Sequence, residues 1–230
     1  MDTIKQQKVL ILGDVHGEWE KLFSLINRYD IKDCYLICVG DLGIGFANSH
    51  SKEIRTLEIA NTFFTVRNIN FLSIRGNHDN PAFFKKEIKS FSNIRLIPDY
   101  HTEIINDEKF LFVGGAVSID RTHRKEGISY WSDEGFVLKP ELVEKCDVLI
   151  THSVPSWNGP NNKSGIESWC SKDPTLWEEC MAERFGHDKL IELCKPKRHY
   201  AGHMHISSTV AMNGCISKIL NELEIIQIFQ

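Results

Sequence analysis

Five short polar clusters, each following a strand-like run, constrain this chain more than any other feature. Residues 8–13, 34–40, 70–75, 146–150 and 199–201 lead into Gly13-Asp14-Val15-His16-Gly17, Gly40-Asp41-Leu42-Gly43, Gly76-Asn77-His78-Asp79, Thr151-His152 and Gly202-His203-Met204-His205. Short apolar runs that stop at glycine and polar residues predict buried strands. Between the first runs, helical spacing appears: Trp19, Leu22, Phe23, Leu25 and Ile26 within residues 18–29, and Ile54, Leu57, Ile59 and Phe63 within residues 52–67. A plan of strand, polar loop, helix and strand implies parallel pairing. In open α/β sheets the carboxyl ends of the strands form the ligand crevice. The five clusters are therefore expected to converge, although they run from residue 13 to residue 205.

The remainder of the chain has a different texture. Residues 94–97, 100–105 and 109–113 are short strand-like runs with tight spacers, which suggest antiparallel pairs. Residues 153–173 are rich in Pro, Asn, Ser, Gly and Trp and read as a long loop, a kind that is usually functional. Residues 174–194 read as a helix, and 207–212, 215–219 and 224–229 as strands separated by turns. No internal repeat or low-complexity linker interrupts the chain, so residues 1–230 are expected to form one domain. A chain of this length buries a full core without staples. Hydrophobic residues make up 42% and charged residues 25%, which excludes a disordered tail, a collagen-like fibre and a disulfide miniprotein. The net charge of −4 gives no support for sequence-independent binding of nucleic acid.

Seven cysteines, an odd number without a CxxC pair, read as reduced core thiols. The apolar run near the N-terminus is too short for a signal-peptide core. No stretch approaches the roughly 18 apolar residues of a membrane span. A cytoplasmic location without a membrane partner is the expectation.

Asp, Asn and His supply oxygen and imidazole nitrogen, a donor set that suits Mn2+, Fe2+ or Zn2+ when no thiolate stands among them. Asp14 and His16, like His203 and His205, are two residues apart. At an extended strand end, such side chains point the same way. Asp14, His16, Asp41, Asn77, His152, His203 and His205 make seven candidate ligands. One ion of about four to six coordination cannot take them all, whereas two ions sharing a bridging carboxylate can. Two divalent ions would also give this acidic chain a locally cationic pocket.

The order GDVHG, GDLG, GNHD, a lone histidine after a strand, and GHMH resembles the five motifs of calcineurin-like metallophosphoesterases. The resemblance spans residues 13–205. It implies an α/β fold, a four-layer α/β/β/α sandwich of two mixed β-sheets flanked by helices. It further implies hydrolysis of phosphate mono- or diesters through a dinuclear metal centre and a bridging hydroxide. Carried over by motif, Asp14, His16, Asp41 and His205 would hold the first ion. Asp41, Asn77, His152 and His203 would hold the second, with Asp41 bridging. His78 matches the family's catalytic histidine and would protonate the leaving oxygen. Mn2+ is the first expectation for both ions, with Fe2+, Zn2+ and Ni2+ as alternatives. The segment from Gly114 to Arg121, with Tyr130, Trp131 and Glu134 after it, resembles a bacterial and phage branch of the family.

The second motif departs from one branch. Protein Ser/Thr phosphatases continue it as Gly-Asp-x-x-Asp-Arg-Gly, whereas this chain has Gly40-Asp41-Leu42-Gly43-Ile44-Gly45. The arginine that grips phosphate is missing there. Arg121 and Arg124 are the candidates to replace it, while Arg75 reads as a structural partner in an ion pair. Asp79 reads as a helix cap before Pro81 rather than an orienter of His78. Trp131, Trp157 and Trp169 read as packing the entrance loops against the body, with nucleobase stacking as the alternative. A small phosphoester or nucleotide is the expected substrate, with a phosphoprotein or a nucleic-acid end as alternatives. A non-catalytic scaffold of the same fold would lack the catalytic histidine or several ligands, and all of these positions are present.

Overall fold

The computed structural model describes residues 7–47, 49–85 and 91–229. The N-terminal stretch weighed above as a leader therefore lies largely outside the described residues.

Four strands open the first sheet: β1 (Lys8–Leu12), β2 (Cys34–Cys38), β3 (Ile69–Ser73) and β4 (Ile94–Leu96). They run parallel, with Leu12 opposite Cys38 and Cys38 opposite Ser73. The second sheet holds β5 (His101–Ile105), β6 (Glu108–Val113), β7 (Val148–Thr151), β8 (Arg198–Ala201), β9 (Ser208–Met212) and β10 (Cys215–Ile219). Its spatial order is β5-β6-β7-β8-β10-β9, and β6, β7, β8 and β10 are parallel. The last strand, β11 (Ile225–Phe229), returns to the first sheet and pairs antiparallel with β1. Both sheets are thus mixed.

Alternation along the strands creates the layers. In β1, Val9 and Ile11 enter a core shared with Phe110, Phe112, Val148 and Ile150 of the second sheet. Leu10 and Leu12 face the other way, toward α1 (Trp19–Arg28) and α2 (His50–Val66). A strand's period of two sends successive side chains to opposite faces, which is why β1 reads as an unbroken apolar run. Helix α1 buries Trp19, Leu22 and Ile26, one stripe at helical spacing. The one-turn helices α3 (Ala82–Lys85) and α4 (Glu167–Cys170) sit in loops. The long α5 (Leu176–Cys194) covers the outer face of the second sheet through Leu190, Ile191 and Cys194. Helices, sheet, sheet and helix stack in that order, as the α/β/β/α expectation has it.

The middle strands differ in part from the sequence expectation. β5 and β6 are antiparallel neighbours, but β4 pairs parallel with β3 in the other sheet. Ile94 packs into the core beneath α2, and the Pro98-Asp99 turn carries the chain across to β5. Adjacent runs in sequence therefore belong to different layers. Among the described residues no helix is long and apolar enough to cross a membrane.

Candidate metal centre

The loops after β1, β2 and β3 leave one edge of the first sheet, and those after β7 and β8 leave the second sheet beside them. Two hydrogen bonds join the edges: the His203 N–H donates to Asp14 Oδ2 at 2.9 Å, and His152 Nδ1 lies 2.9 Å from the Val39 carbonyl. A carbonyl only accepts, so His152 carries a proton on Nδ1, and Nε2 is the nitrogen turned toward the cluster.

Two groups of donor atoms result. Asp14, His16, Asp41 and His205 form one, Asp41, His152 and His203 the other, each with its atoms within 4.8 Å of one another. Asp41 belongs to both. Its Oδ1 lies 3.2 Å from His152 Nε2, and its Oδ2 lies 3.7 Å from His16 Nε2. Asn77 joins the second group, its Oδ1 3.1 Å from His152 Nε2. All seven sequence candidates are therefore brought together.

The fit to cations rests on the atoms themselves. Asp14 Oδ1 is buried and has no hydrogen-bond partner. Such an orphaned carboxylate oxygen is costly unless a cation satisfies it. The Nε2 atoms of His16 and His205 face each other at 3.0 Å, a spacing suited to converging lone pairs. His16, Asp41, His203 and His205 all adopt positive φ, between 49° and 64°. Left-handed backbone at non-glycine residues costs about 1 kcal/mol or more each and gathers at functional sites. Glycine lets the backbone come this close: a Cβ on Gly76 would lie 2.0 Å from Asp41 Oδ1, and one on Gly202 would lie 1.9 Å from Asp14 Oδ1.

The electrostatics point the same way. Burial alone would lower His152, but Asp41 beside it pushes the imidazole up to about 10. Burial would raise Asp41, yet His152 holds it well below the usual carboxylate range. Without ions the buried carboxylates recruit a proton as their countercharge. A cation bound there replaces that proton. His203 is pushed down to about 3 by burial and the nearby His152, against a weaker pull from Asp41.

A supporting shell fixes these groups. Asp79 does not cap the following helix; Asn80 Oδ1 does so, accepting from the Ala82 N–H at 3.0 Å. The fully buried Asp79 carboxylate instead accepts from four backbone N–H groups: Gly76 at 2.8 Å, Leu42 at 3.2 Å, Gly43 at 2.8 Å and Ile44 at 2.9 Å. It locks the Asp41 loop to the Asn77 loop. Ser118 Oγ accepts from Asn77 Nδ2 at 3.0 Å and from Arg124 Nη1 at 2.9 Å, and donates to Glu134. With the amide nitrogen turned to Ser118, the Asn77 oxygen faces the cluster.

His78 lies against the first group, edge-on to His16 at 4.7 Å and stacked on Phe46 at 4.7 Å. Its Nε2 is 2.6 Å from Arg124 Nη2. A guanidinium only donates, so Nε2 accepts and the imidazole proton sits on Nδ1. Burial brings His78 down to about 4 against the pull of Asp41, and Arg124 adds to the depression. The two arginine candidates separate. Arg124 lines the cavity at the cluster, whereas Arg121 is held by Asp173 at 2.6 Å and by Glu179 at 2.9 Å and does not line it. Arg75 pairs with Asp99 at 2.8 Å, as expected of a structural residue.

The cavity that opens on Asp41, Asn77, His78 and Arg124 has a volume of about 410 Å³. Trp131 is buried and Trp157 packs beside the α5 core, as read from the sequence. Trp169 departs from that reading and lines the cavity, joined by Trp177 from the first turn of α5. Sequence reasoning passed over Trp177, Ser118 and Glu222. The Glu222 carboxylate lies 3.5 Å from His205 Nδ1, but nothing in its turn sequence marks it.

The description of the calcineurin-like phosphoesterases matches residues 7–207. The chain belongs to that family. The phosphoesterase is accordingly a hydrolase acting on phosphoric ester bonds. Its fold is similar to that of the 5′-nucleotidase precursor from Thermus thermophilus, with a TM-score of 0.47, 12% identity, and coverage of 95% of this chain and 49% of that one. It is also similar to phosphopantetheinyl hydrolase from Mycobacterium tuberculosis, with a TM-score of 0.46, 13% identity, and coverage of 94% and 90%. An archaeal phosphodiesterase aligns with a TM-score of 0.39 at 13% identity over 96% and 98%. No curated protein sequence matches the phosphoesterase.

Proposed function

We propose that this phosphoesterase works through a dinuclear centre on small phosphate esters, nucleotides among them. The observation that carries the reading is the pair of donor groups sharing Asp41. Asp14, His16, Asp41 and His205 hold one ion; Asp41, Asn77, His152 and His203 hold the other. Mn2+ suits this oxygen and imidazole set, with Fe2+, Zn2+ and Ni2+ as competitors. Bound divalent ions supply an acidified water as nucleophile and offset charge on the phosphoryl oxygens.

The chain's own residues do the rest. Arg124 turns from His78 to a phosphoryl oxygen, where its planar fork matches the anion. That movement frees His78 Nε2 and removes a neighbouring positive charge, so the imidazole takes up a proton from water there and passes it to the leaving oxygen as the P–O ester bond breaks. The product departs as a neutral alcohol and His78 returns to its neutral form. Phe46 supports both groups, stacked under the His78 ring and 5.2 Å below the Arg124 guanidinium. Ser118 holds the Asn77 amide and steadies Arg124 from behind. The cavity at the cluster has the size of a small-molecule site, which favours a small ester over a phosphoprotein or a nucleic-acid end.

The test compares Mn2+-dependent hydrolysis of a phosphate monoester, a diester, a phosphopeptide and a cyclic nucleotide. Turnover of the small esters, abolished by a chelator, is the expected result. Protein that binds no transition metal and hydrolyses nothing after Mn2+ is added would return the chain to a binding role.

A further inference from the structure

The cavity lining is of two kinds. Asp41, Asn77, His78, Arg124, His203 and His205 bring the polar groups of the cluster to it, and Asn162, Ser164, Glu183 and Arg184 add further polar atoms. Ile119, Ile166, Trp169, Trp177, Met181 and Met204 supply apolar surface. None of these six is fully buried, and among them only Met204 packs on a hydrophobic core cluster. Phosphoester chemistry needs no apolar wall, and a polyol ester would leave these side chains in water. Apolar surface gathered in a concavity beside a few convergent polar groups is the signature of a ligand subsite.

The two indoles are also held in place. His123 meets the Trp169 ring edge-on at 5.1 Å, with the Lys172 ammonium 5.7 Å from its centroid. Lys163 lies 5.9 Å from the Trp177 centroid. Arg121 ties its own turn to Asp173, which lies between the two indoles, and to Glu179 just beyond them. Arg184 fastens the preceding loop by donating to the carbonyls of Pro155, Ser156 and Asn158 at 2.9–3.0 Å. Rigid aromatic walls give contact area at little entropic cost, and a flat ring gains most from them.

We propose that the wall around Trp169 and Trp177 is a subsite for the group esterified to the phosphate, selecting leaving groups that carry a flat ring. Aryl-bearing alcohols and nucleosides share that chemistry. The inference rests on the hydrolytic reading above, and the test separates the two.

Leaving-group reactivity is held constant by using matched pairs of alkyl phosphates. 2-Phenylethyl phosphate is compared with ethyl phosphate, and a nucleoside 5′-monophosphate with ribose 5-phosphate. The Mn2+-loaded full chain is expected to show at least about a tenfold higher kcat/KM for the ring-bearing member of one or both pairs. The first pair reports an aryl ligand and the second a nucleoside. In Trp169→Ala and Trp177→Ala that ratio falls toward one, chiefly through KM, while Trp177→Phe keeps most of it. Equal kcat/KM within both pairs, or ratios unchanged in both alanine variants, would overturn the subsite. A second readout needs no turnover: quenching of tryptophan fluorescence by phenylphosphonate against methylphosphonate. Tighter binding of phenylphosphonate by a chain that hydrolyses none of the esters would support the subsite and contradict the hydrolytic role. Equal binding of the two phosphonates would overturn the subsite whatever the turnover.

Discussion

At the scale of single residues, the proton of His78 and the loop anchor Asp79 carry separable, measurable roles. His78→Ala is expected to lower kcat on an alkyl phosphate about 10²- to 10³-fold and to cost far less on a nitrophenyl phosphate, whose leaving oxygen needs no proton. Equal losses on both esters would contradict the acid role. Asp79→Asn replaces a buried carboxylate that accepts from four backbone amides. Hydrogen bonds to a charged group contribute about 1.5–3 kcal/mol each at most, and an amide keeps some of them, so a net loss of about 3 kcal/mol is expected. In a domain of this size that lowers Tm by roughly 6–12 °C, read by calorimetry. The ligands were legible because each motif places Asp, Asn or His directly after a strand. Asp79 was not, because an aspartate just before Asn80-Pro81 looks like a helix cap whichever way its side chain turns. Arg121 and Arg124 could not be separated in sequence either. Both are ion-paired, Arg121 with Asp173 and Glu179 and Arg124 with Asp120, and what distinguishes them is that Arg124 lines the cavity and Arg121 does not.

At the scale of elements, β8 is keyed to its neighbours through a one-way chain of hydrogen bonds. Asn158 Nδ2 donates to Ser217 Oγ at 2.8 Å, Ser217 Oγ lies 2.9 Å from His199 Nδ1, and His199 Nε2 lies 2.7 Å from Thr151 Oγ1. Thr151 spends its own proton on the Ser153 carbonyl at 2.6 Å, so His199 must donate from Nε2 and accept at Nδ1. The chain requires a neutral imidazole, and burial brings His199 down to about 3. In the unfolded chain this group titrates near about 6.5. Below that pH the unfolded state binds a proton that the folded state refuses, so stability is full above about 6.5 and falls by roughly 1.4 kcal/mol per pH unit toward pH 3. Urea midpoints at pH 7, 6 and 5 should therefore drop more steeply for the wild type than for His199→Gln; coincident slopes would show that His199 is not held neutral. Strand and helix identity in this region was legible from apolar runs. The sheet to which β4 belongs was not, because a short strand carries no mark of its partner, and the chain changes layers over the four residues 97–100.

At the scale of the whole molecule, two sheets present the carboxyl ends of their parallel strands along one shared edge. That arrangement joins Asp14 to His203 and His205 across nearly the full length of the chain. Parallel pairing made the convergence legible in the sequence. The antiparallel return of β11 against β1 was not legible, since strand pairing between distant segments leaves no local trace. The net charge of −4 likewise describes the chain and not the site, where buried carboxylates call for cations and the cations would face an anionic ester. A shared centre requires Asp41 to serve both donor groups at once. Elemental analysis of the full chain after loading with Mn2+ and removal of free ion tests this directly. Two ions per chain are predicted for the wild type, and less than one for Asp41→Asn. A wild type saturating at one ion or none, or an Asp41→Asn variant that keeps both, would contradict the shared centre.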